Sequence, residues 1–210
     1  MLKIDSVELS FDGRQVISGC YLNVVKGETV GLLGRNGSGK SSLLKIIFGA
    51  LQAQYKHLKI DDIYVKSGFL TKEIAYLPQE RFLPFFLLVK ELLMPIERFK
   101  DEEAIYKLRD KRLRDLSEGE LRIVECFWVL SLGANYILLD EPFKGLSPLN
   151  IEIVQKHIQQ CKINKGIIIT DHTYQPLFEV ADRLVLMHNN SIYNINSLKD
   201  LVLYKYLPSI

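Results

Sequence analysis

Two periodicities alternate along the chain. Apolar and polar positions that swap every residue, or short β-branched runs, predict strands at 3–11, 16–25, 29–33, 59–65, 74–77, 136–139, 167–170, 184–187 and 191–195. Apolar positions at helical spacing predict helices at 41–48, 100–115, 120–131, 149–161, 176–181 and 198–204. The runs at 29–33, 136–139 and 167–170 are apolar throughout, as strands are when a parallel sheet is covered on both faces. Long helix-bearing connections between such strands imply an α/β core. One region breaks the alternation: from 80 to 116 no strand is evident. It starts apolar and aromatic and becomes highly charged, and it reads as a small helical insertion.

Composition narrows the class without naming a function. The 210 residues suit one large domain. Lys and Arg total 27 against 25 Asp and Glu, a net charge of +2, which gives no electrostatic case for a nucleic-acid partner. Cys20, Cys126 and Cys161 are odd in number and widely spaced, which suggests a reducing compartment and neither a metal nor a disulfide framework. The N-terminus reads as a strand instead of a signal peptide. The most apolar stretch, 82–95, is too short to span a bilayer and is broken by Pro84 and Lys90, so a soluble chain is expected.

Chemistry enters at 34–42, GRNGSGKSS. Gly34, Gly39, Lys40 and Ser41 fit G-x-x-x-x-G-K-S/T between a predicted strand and a predicted helix, the context that motif requires. Glycines let backbone N–H groups turn around a phosphate, and the helix that starts there adds its positive end. The loop Gly34, Arg35, Asn36, Gly37, Ser38, Gly39, Lys40, Ser41 and Ser42 is therefore the expected phosphate-binding set. Lys40 reaches outer phosphates and the Ser41 hydroxyl ligates Mg²⁺. YILLDE, 136–141, supplies a buried strand with Asp140 and Glu141 at its carboxyl end. Asp140 suits Mg²⁺ through its water shell and Glu141 suits polarising an attacking water. An acidic strand end before a turn at Pro142 is the alternative.

With LSEGE at 116–120 added, the chain resembles the nucleotide-binding ATPase cassette of the ABC family. Leu116, Ser117 and Gly119 match a signature close to L-S-G-G-Q, while Glu118 replaces the first glycine and Glu120 the glutamine. Gln79 in YLPQE resembles the Q-loop glutamine, DEPFKGLSP at 140–148 the Walker B end and D-loop, and His172 in IITDH the switch histidine. Phe11 sits where the family places an aromatic under adenine; core packing is its alternative reading, as a loop cap is for Gln79 and a surface position for His172. The resemblance covers about 2–204.

That resemblance implies an α/β fold: a P-loop NTPase core with a mostly parallel sheet, an N-terminal antiparallel β subdomain and a small helical subdomain insertion. One ABC ATPase domain is expected over 1–210, with core and β subdomain at 1–79 and 117–210 and the helical subdomain at about 80–116. It also implies ATP and Mg²⁺ as cofactors, with Glu141, His172 and Gln79 catalytic and Ser41, Gln79 and Asp140 at the metal. Two cassettes, alike or different, would sandwich ATP between the phosphate loop of one and Ser117 and Gly119 of the other. The implied function is the ATP-hydrolysing subunit of a transporter, peripheral at the cytoplasmic face of the membrane, with a membrane-spanning subunit as a separate chain. Phe82, Phe85, Phe86 and Leu87 would floor a groove for that partner, or fill the insertion's own core. Two other readings stay open: a soluble assembly ATPase, as in iron–sulfur cluster biogenesis, and a cassette that binds ATP but hardly hydrolyses it. The second is suggested by Glu118 and by Ser147, which stands where the family usually has aspartate. Ser147-Pro148 also reads as an N-cap and first-turn proline. Arg122 is expected to be a solvated side chain, and His57, His157 and His188 match no motif.

Overall fold

The computed structural model describes residues 1–93, 95, 96, 99, 102–172 and 174–207. Strands β1 (Leu2–Phe11), β2 (Arg14–Val24), β4 (Tyr55–Ile60) and β5 (Ile63–Tyr64) form an antiparallel sheet in the order β2-β1-β4-β5. A six-stranded sheet runs β10-β9-β3-β8-β7-β6, from β3 (Thr29–Gly34), β6 (Ile74–Leu77), β7 (Tyr136–Asp140), β8 (Gly166–Thr170), β9 (Arg183–His188) and β10 (Ser191–Ile195). Its neighbours pair in parallel except β10 on β9.

The helices are α1 (Lys40–Phe48), α2 (Gly68–Thr71), α3 (Val89–Leu93), α4 (Glu103–Tyr106), α5 (Glu118–Ser131), α6 (Pro148–Lys162), α7 (Tyr174–Val180) and α8 (Leu198–Leu203). None among the described residues is long and apolar enough to cross a membrane.

The all-apolar runs do what their pattern implies. Successive residues of the parallel strands feed two cores on opposite faces of the sheet. Ile137, Leu139, Ile167 and Ile169 pack with α5, α6 and α7, whereas Tyr136, Leu138 and Ile168 pack with α1 and the antiparallel sheet. The parallel strands β3, β7 and β8 therefore end side by side at Gly34, Asp140 and Thr170, next to the glycine-rich loop and Glu141.

The antiparallel pieces are tied by two-residue turns. Asp12-Gly13 joins β1 to β2, and both residues have positive φ, 47° and 77°. That is the conformation of a type I′ hairpin turn, whose twist matches its strands. It puts Phe11 at the hairpin tip.

Two predicted elements take another form. The strand expected at 59–65 is a hairpin: Asp61 and Asp62 adopt φ of 47° and 64°, and Ile60 pairs with Ile63. The helix expected at 100–115 begins at positions outside the described residues, and the described part is the short α4, further turns and a 3₁₀ turn at Leu113–Asp115. Leu88 and Arg112 form a bridge there, and Leu113 N–H donates to Leu87 O. Pairing to the 85–88 segment outweighs local helix propensity in this charged stretch. The N-cap reading of Ser147 holds: its Oγ accepts from the Asn150 N–H at 3.3 Å with Pro148 in the first turn.

Candidate nucleotide site

Chain leaves β3 through Gly34 and re-enters a helix at Lys40. Gly39, just before α1, has φ of 105°, a conformation side chains rarely adopt. Lys40 folds back, its ammonium donating to Gly34 O at 2.7 Å and to Arg35 O at 3.2 Å. Burial pushes its pKa below the usual lysine value, opposed by the carboxylates of Glu141, Asp140 and Asp171. The loop thus stores a cation in a position a phosphate oxygen can take over.

Asp140 ends β7 with its carboxylate fully buried. Oδ1 accepts from Ser41 Oγ at 3.0 Å and from Thr170 Oγ1 at 2.7 Å, and Oδ2 from the Tyr76 phenol at 3.2 Å. Burial, then the Asp140 charge, raises the Tyr76 pKa well above its ordinary value. Ser41 and Asp140 therefore offer hard oxygen donors side by side. Among the described residues no cluster of three or more His, Cys, Asp or Glu is arranged to hold a metal. That donor set suits a small hard cation completed by water and phosphate oxygens better than one caged by protein.

Glu141 has φ of 53°, strained for a non-glycine residue. The strain is held on both sides. Its N–H donates to Thr170 O at 2.8 Å, and its carbonyl accepts from Arg122 Nε and Nη2 at 3.1 and 3.0 Å. The side chain is thereby aimed at Gln79, whose Nε2 donates to Glu141 Oε2 at 2.8 Å. His172 Nδ1 lies 3.5 Å from Asp171 Oδ1, and its ring is exposed.

These groups share one open cleft of about 600 Å³. Phe11, Asn36, Gly37, Gly39, Lys40, Ser41, Ser42, Gln79, Glu141 and His172 line it, and Phe11 is 49% exposed there, which sets aside its reading as core. Gly34, Arg35 and Ser38 do not line it: Gly34 holds Lys40 through its carbonyl, and Arg35 donates to Lys205 O at 2.5 Å. Ser117 and Gly119 lie elsewhere, at the start of α5. Ser117 Oγ accepts from the Glu120 N–H at 3.2 Å while Glu120 Oε2 accepts from the Ser117 N–H at 2.8 Å, a capping box. Gly119 is packed so closely that a Cβ there would fall 2.5 Å from Gly145 O.

Arg122 corrects the expectation of a solvated side chain: it is 6% exposed. Besides Glu141 O it donates to Pro78 O at 2.7 Å, to Asp140 O, and more distantly to Glu125 Oε2 at 3.5 Å. One guanidinium thus fastens α5 to the Gln79 loop and to the end of β7. A signal was available: Arg122 and Glu125, at i and i+3, sit among Leu121, Ile123, Val124, Cys126 and Phe127, and a helix apolar all round is buried. Sequence reasoning also missed Thr170, Tyr76 and Lys144, the last of which lines the cleft.

A Gly-rich loop with its lysine and serine between strand and helix, facing a buried aspartate and a strained glutamate, defines a P-loop nucleoside-triphosphatase. The family model described as "ABC transporter" matches residues 17–144, and the chain belongs to that family as an ATP-binding, ATP-hydrolysing cassette. It is 30% identical over 199 residues to the lipopolysaccharide export system ATP-binding protein LptB of Escherichia coli, covering 85% of this chain and 83% of that one. To the protein of that name from Haemophilus influenzae it is 31% identical over 209 residues, covering 89% and 86%. The fold matches a solved ATP-binding subunit of an ABC transporter with a TM-score of 0.81 at 23% identity, covering 100% of this chain and 95% of that one. It also matches a cassette solved as a dimer in a post-hydrolysis state with ADP and phosphate, with a TM-score of 0.78 at 20% identity, covering 94% and 100%.

Proposed function

We propose that the chain is the motor subunit of a transporter, working at the inner face of the membrane on a separate membrane-spanning partner. The observation that carries this is the division of phosphate-binding features between two surfaces of one chain. Lys40, Ser41, Gln79, Glu141 and His172 share one cleft, whereas Ser117 and Gly119 stand apart on the capped start of α5. Two copies head to tail would complete two sites, each closing on one ATP and reopening after hydrolysis. In this reading 80–116 is a separate lever on the core formed by 1–79 and 117–210.

The residues of the cleft divide the chemistry. Phe11 stacks on the base; the 34–42 loop and Lys40 take the phosphates, the ammonium exchanging Gly34 O for phosphate oxygen. Ser41 and Asp140 would hold Mg²⁺, with Gln79 beside it, and when bound the ion neutralises charge on the outer phosphates. Glu141 accepts a proton from the water whose oxygen attacks the terminal phosphorus while the bond to the bridging oxygen breaks; Gln79 fixes that carboxylate and His172 donates to the phosphoryl group. Glu118 is exposed beside Gly145, so its charge does not block the fold of α5.

The partner's seat is an apolar groove of about 590 Å³ beside the Gln79 loop, lined by Phe48, Phe69, Ile74, Pro78, Phe82 and Val129 among others. Phe82 belongs to it; Phe85 and Phe86 stand exposed outside it, and Leu87 packs on the core. A short amphipathic helix of the membrane chain fits such a groove. Cargo selection lies with that chain. No observation favours an assembly machine.

Two measurements test this. Glu141→Gln should keep ATP affinity while turnover falls by about 10²–10⁴, the size of a general-base contribution; near-parental turnover would remove Glu141 from its role. Detergent extracts should yield a polytopic membrane protein with the tagged chain, and its absence would count against the motor reading.

A further inference from the structure

Lys144 occupies the turn between β7 and α6, inside the DEPFKGLSP stretch, at a position to which no role has been given above. It lines the nucleotide cleft with Lys40, Gln79, Glu141 and His172, and also a narrow crevice shared with Arg81 and Glu118. Its ammonium is 3.8 Å from Glu141 Oε2 and its side chain is 43% exposed. At that separation the contact is electrostatic and not a hydrogen bond. Among the described residues the Lys144 ammonium donates no hydrogen bond, so its long stem is able to swing. Its backbone is fixed by the turn, with Lys144 N–H donating to Glu141 O at 3.3 Å and Leu146 N–H to Phe143 O at 3.2 Å.

Three carboxylates crowd this corner, beyond what Lys40 and an ion at Ser41 and Asp140 would face alone. The carboxylates of Asp140, Glu141 and Asp171 all act on Lys40, and Asp140 and Asp171 are fully buried. A terminal phosphate brought here meets those carboxylates, with Glu118 adding a further negative group on the adjoining crevice. Lys40 already faces these carboxylates, and Lys144 is the other lysine lining the cleft among the described residues.

We propose that Lys144 is a second phosphate-binding cation, its ammonium leaving Glu141 to take the terminal phosphate, so that the cleft discriminates triphosphate from diphosphate more sharply than Lys40 alone allows. This rests on the nucleotide reading of the cleft. The test is calorimetric titration of the full chain with MgADP and with a non-hydrolysable Mg-ATP analogue, for the parent, Lys144→Ala, Lys144→Gln and Lys144→Arg, at low and high salt. Lys144→Ala should weaken the triphosphate about tenfold, equivalent to about 1.4 kcal/mol, and MgADP by less than about threefold. Lys144→Arg should retain most of the preference, and salt should narrow the gap. Lys144→Gln, which keeps stem length without charge, should behave as alanine does, so that packing loss is separated from charge loss. Equal losses for both nucleotides, or none, would mean that Lys144 only tethers Glu141 and would overturn the proposal. A parent chain that binds neither nucleotide would overturn the reading of the cleft itself.

Discussion

Arg122 offers a direct measure of how the site is held in shape. Its guanidinium donates to Pro78 O, Asp140 O and Glu141 O, from two segments that meet α5 only in the folded chain, and it faces the buried Glu125 carboxylate at 3.5 Å. Arg122→Met keeps an apolar stem of similar reach and removes every donor. The Phe82 N–H, 3.3 Å from Oε1, is then left to Glu125. Breaking a buried pair from one side costs about 3–5 kcal/mol, a large share of the 5–15 kcal/mol roughly typical of a domain. Glu125 also sets a pH signature. Burial raises its pKa, with the Phe82 N–H and Arg122 pulling it back, so losing Arg122 raises it further. A carboxyl raised in the folded state contributes stability in full below its unfolded pKa, about 4.3, and loses it as pH climbs through the folded value. Urea unfolding followed by circular dichroism should therefore show a larger deficit at pH 8 than at pH 5. Adding Glu125→Gln should return about 1–3 kcal/mol at pH 8. A deficit under about 1 kcal/mol at pH 8, or one independent of pH, would refute the clamp.

Further expectations follow from single contacts. Gly119→Ala puts a methyl 2.5 Å from the Gly145 carbonyl, which no rotamer change relieves. It should cost about 1–3 kcal/mol in melting experiments and at least about tenfold in turnover; parental turnover would show that the contact is dispensable. Thr170→Val removes the donor 2.7 Å from the buried Asp140 Oδ1. A fall of about 1–3 kcal/mol in urea stability is expected, and no fall would mean that Asp140 is satisfied without it. Burial lifts the thiol of Cys20 to about 11 and that of Cys126 to about 12. Neither should react with Ellman's reagent in the native protein at pH 8, and MgATP should slow any labelling that depends on opening; prompt stoichiometric reaction would contradict their placement.

What could be read in advance and what could not divides by range. Gly34 to Ser42 is legible because its spacing is contiguous: the glycines answer a backbone need, and Lys40 and Ser41 bring the ammonium and hydroxyl that suit a phosphate and its cation. The apolar runs were legible as buried strands because both their faces are covered. Arg122 was not, because its partners are 18 to 44 positions away and only the fold brings their carbonyls together. The Asp61-Asp62 turn lacks the glycine that usually marks its type, so 59–65 looked continuous. The 100–115 stretch is rich in Lys, Glu and Arg, good helix formers, yet its described part bonds to the 85–88 segment, which no local pattern reveals. Lys144 was invisible for a simpler reason: a lysine in a turn is ordinarily solvated, and only the cleft shows which groups it faces.

On the proposed reading one nucleotide is gripped by two copies, each presenting a different edge. Light scattering coupled to size exclusion on the Glu141→Gln chain measures it directly. With MgATP the mass should double, with MgADP or with Lys40→Ala added it should stay that of one chain, and Ser117→Arg should prevent doubling while ATP still binds. A Glu141→Gln chain that binds MgATP stoichiometrically at high protein concentration yet keeps the mass of one copy would contradict the account.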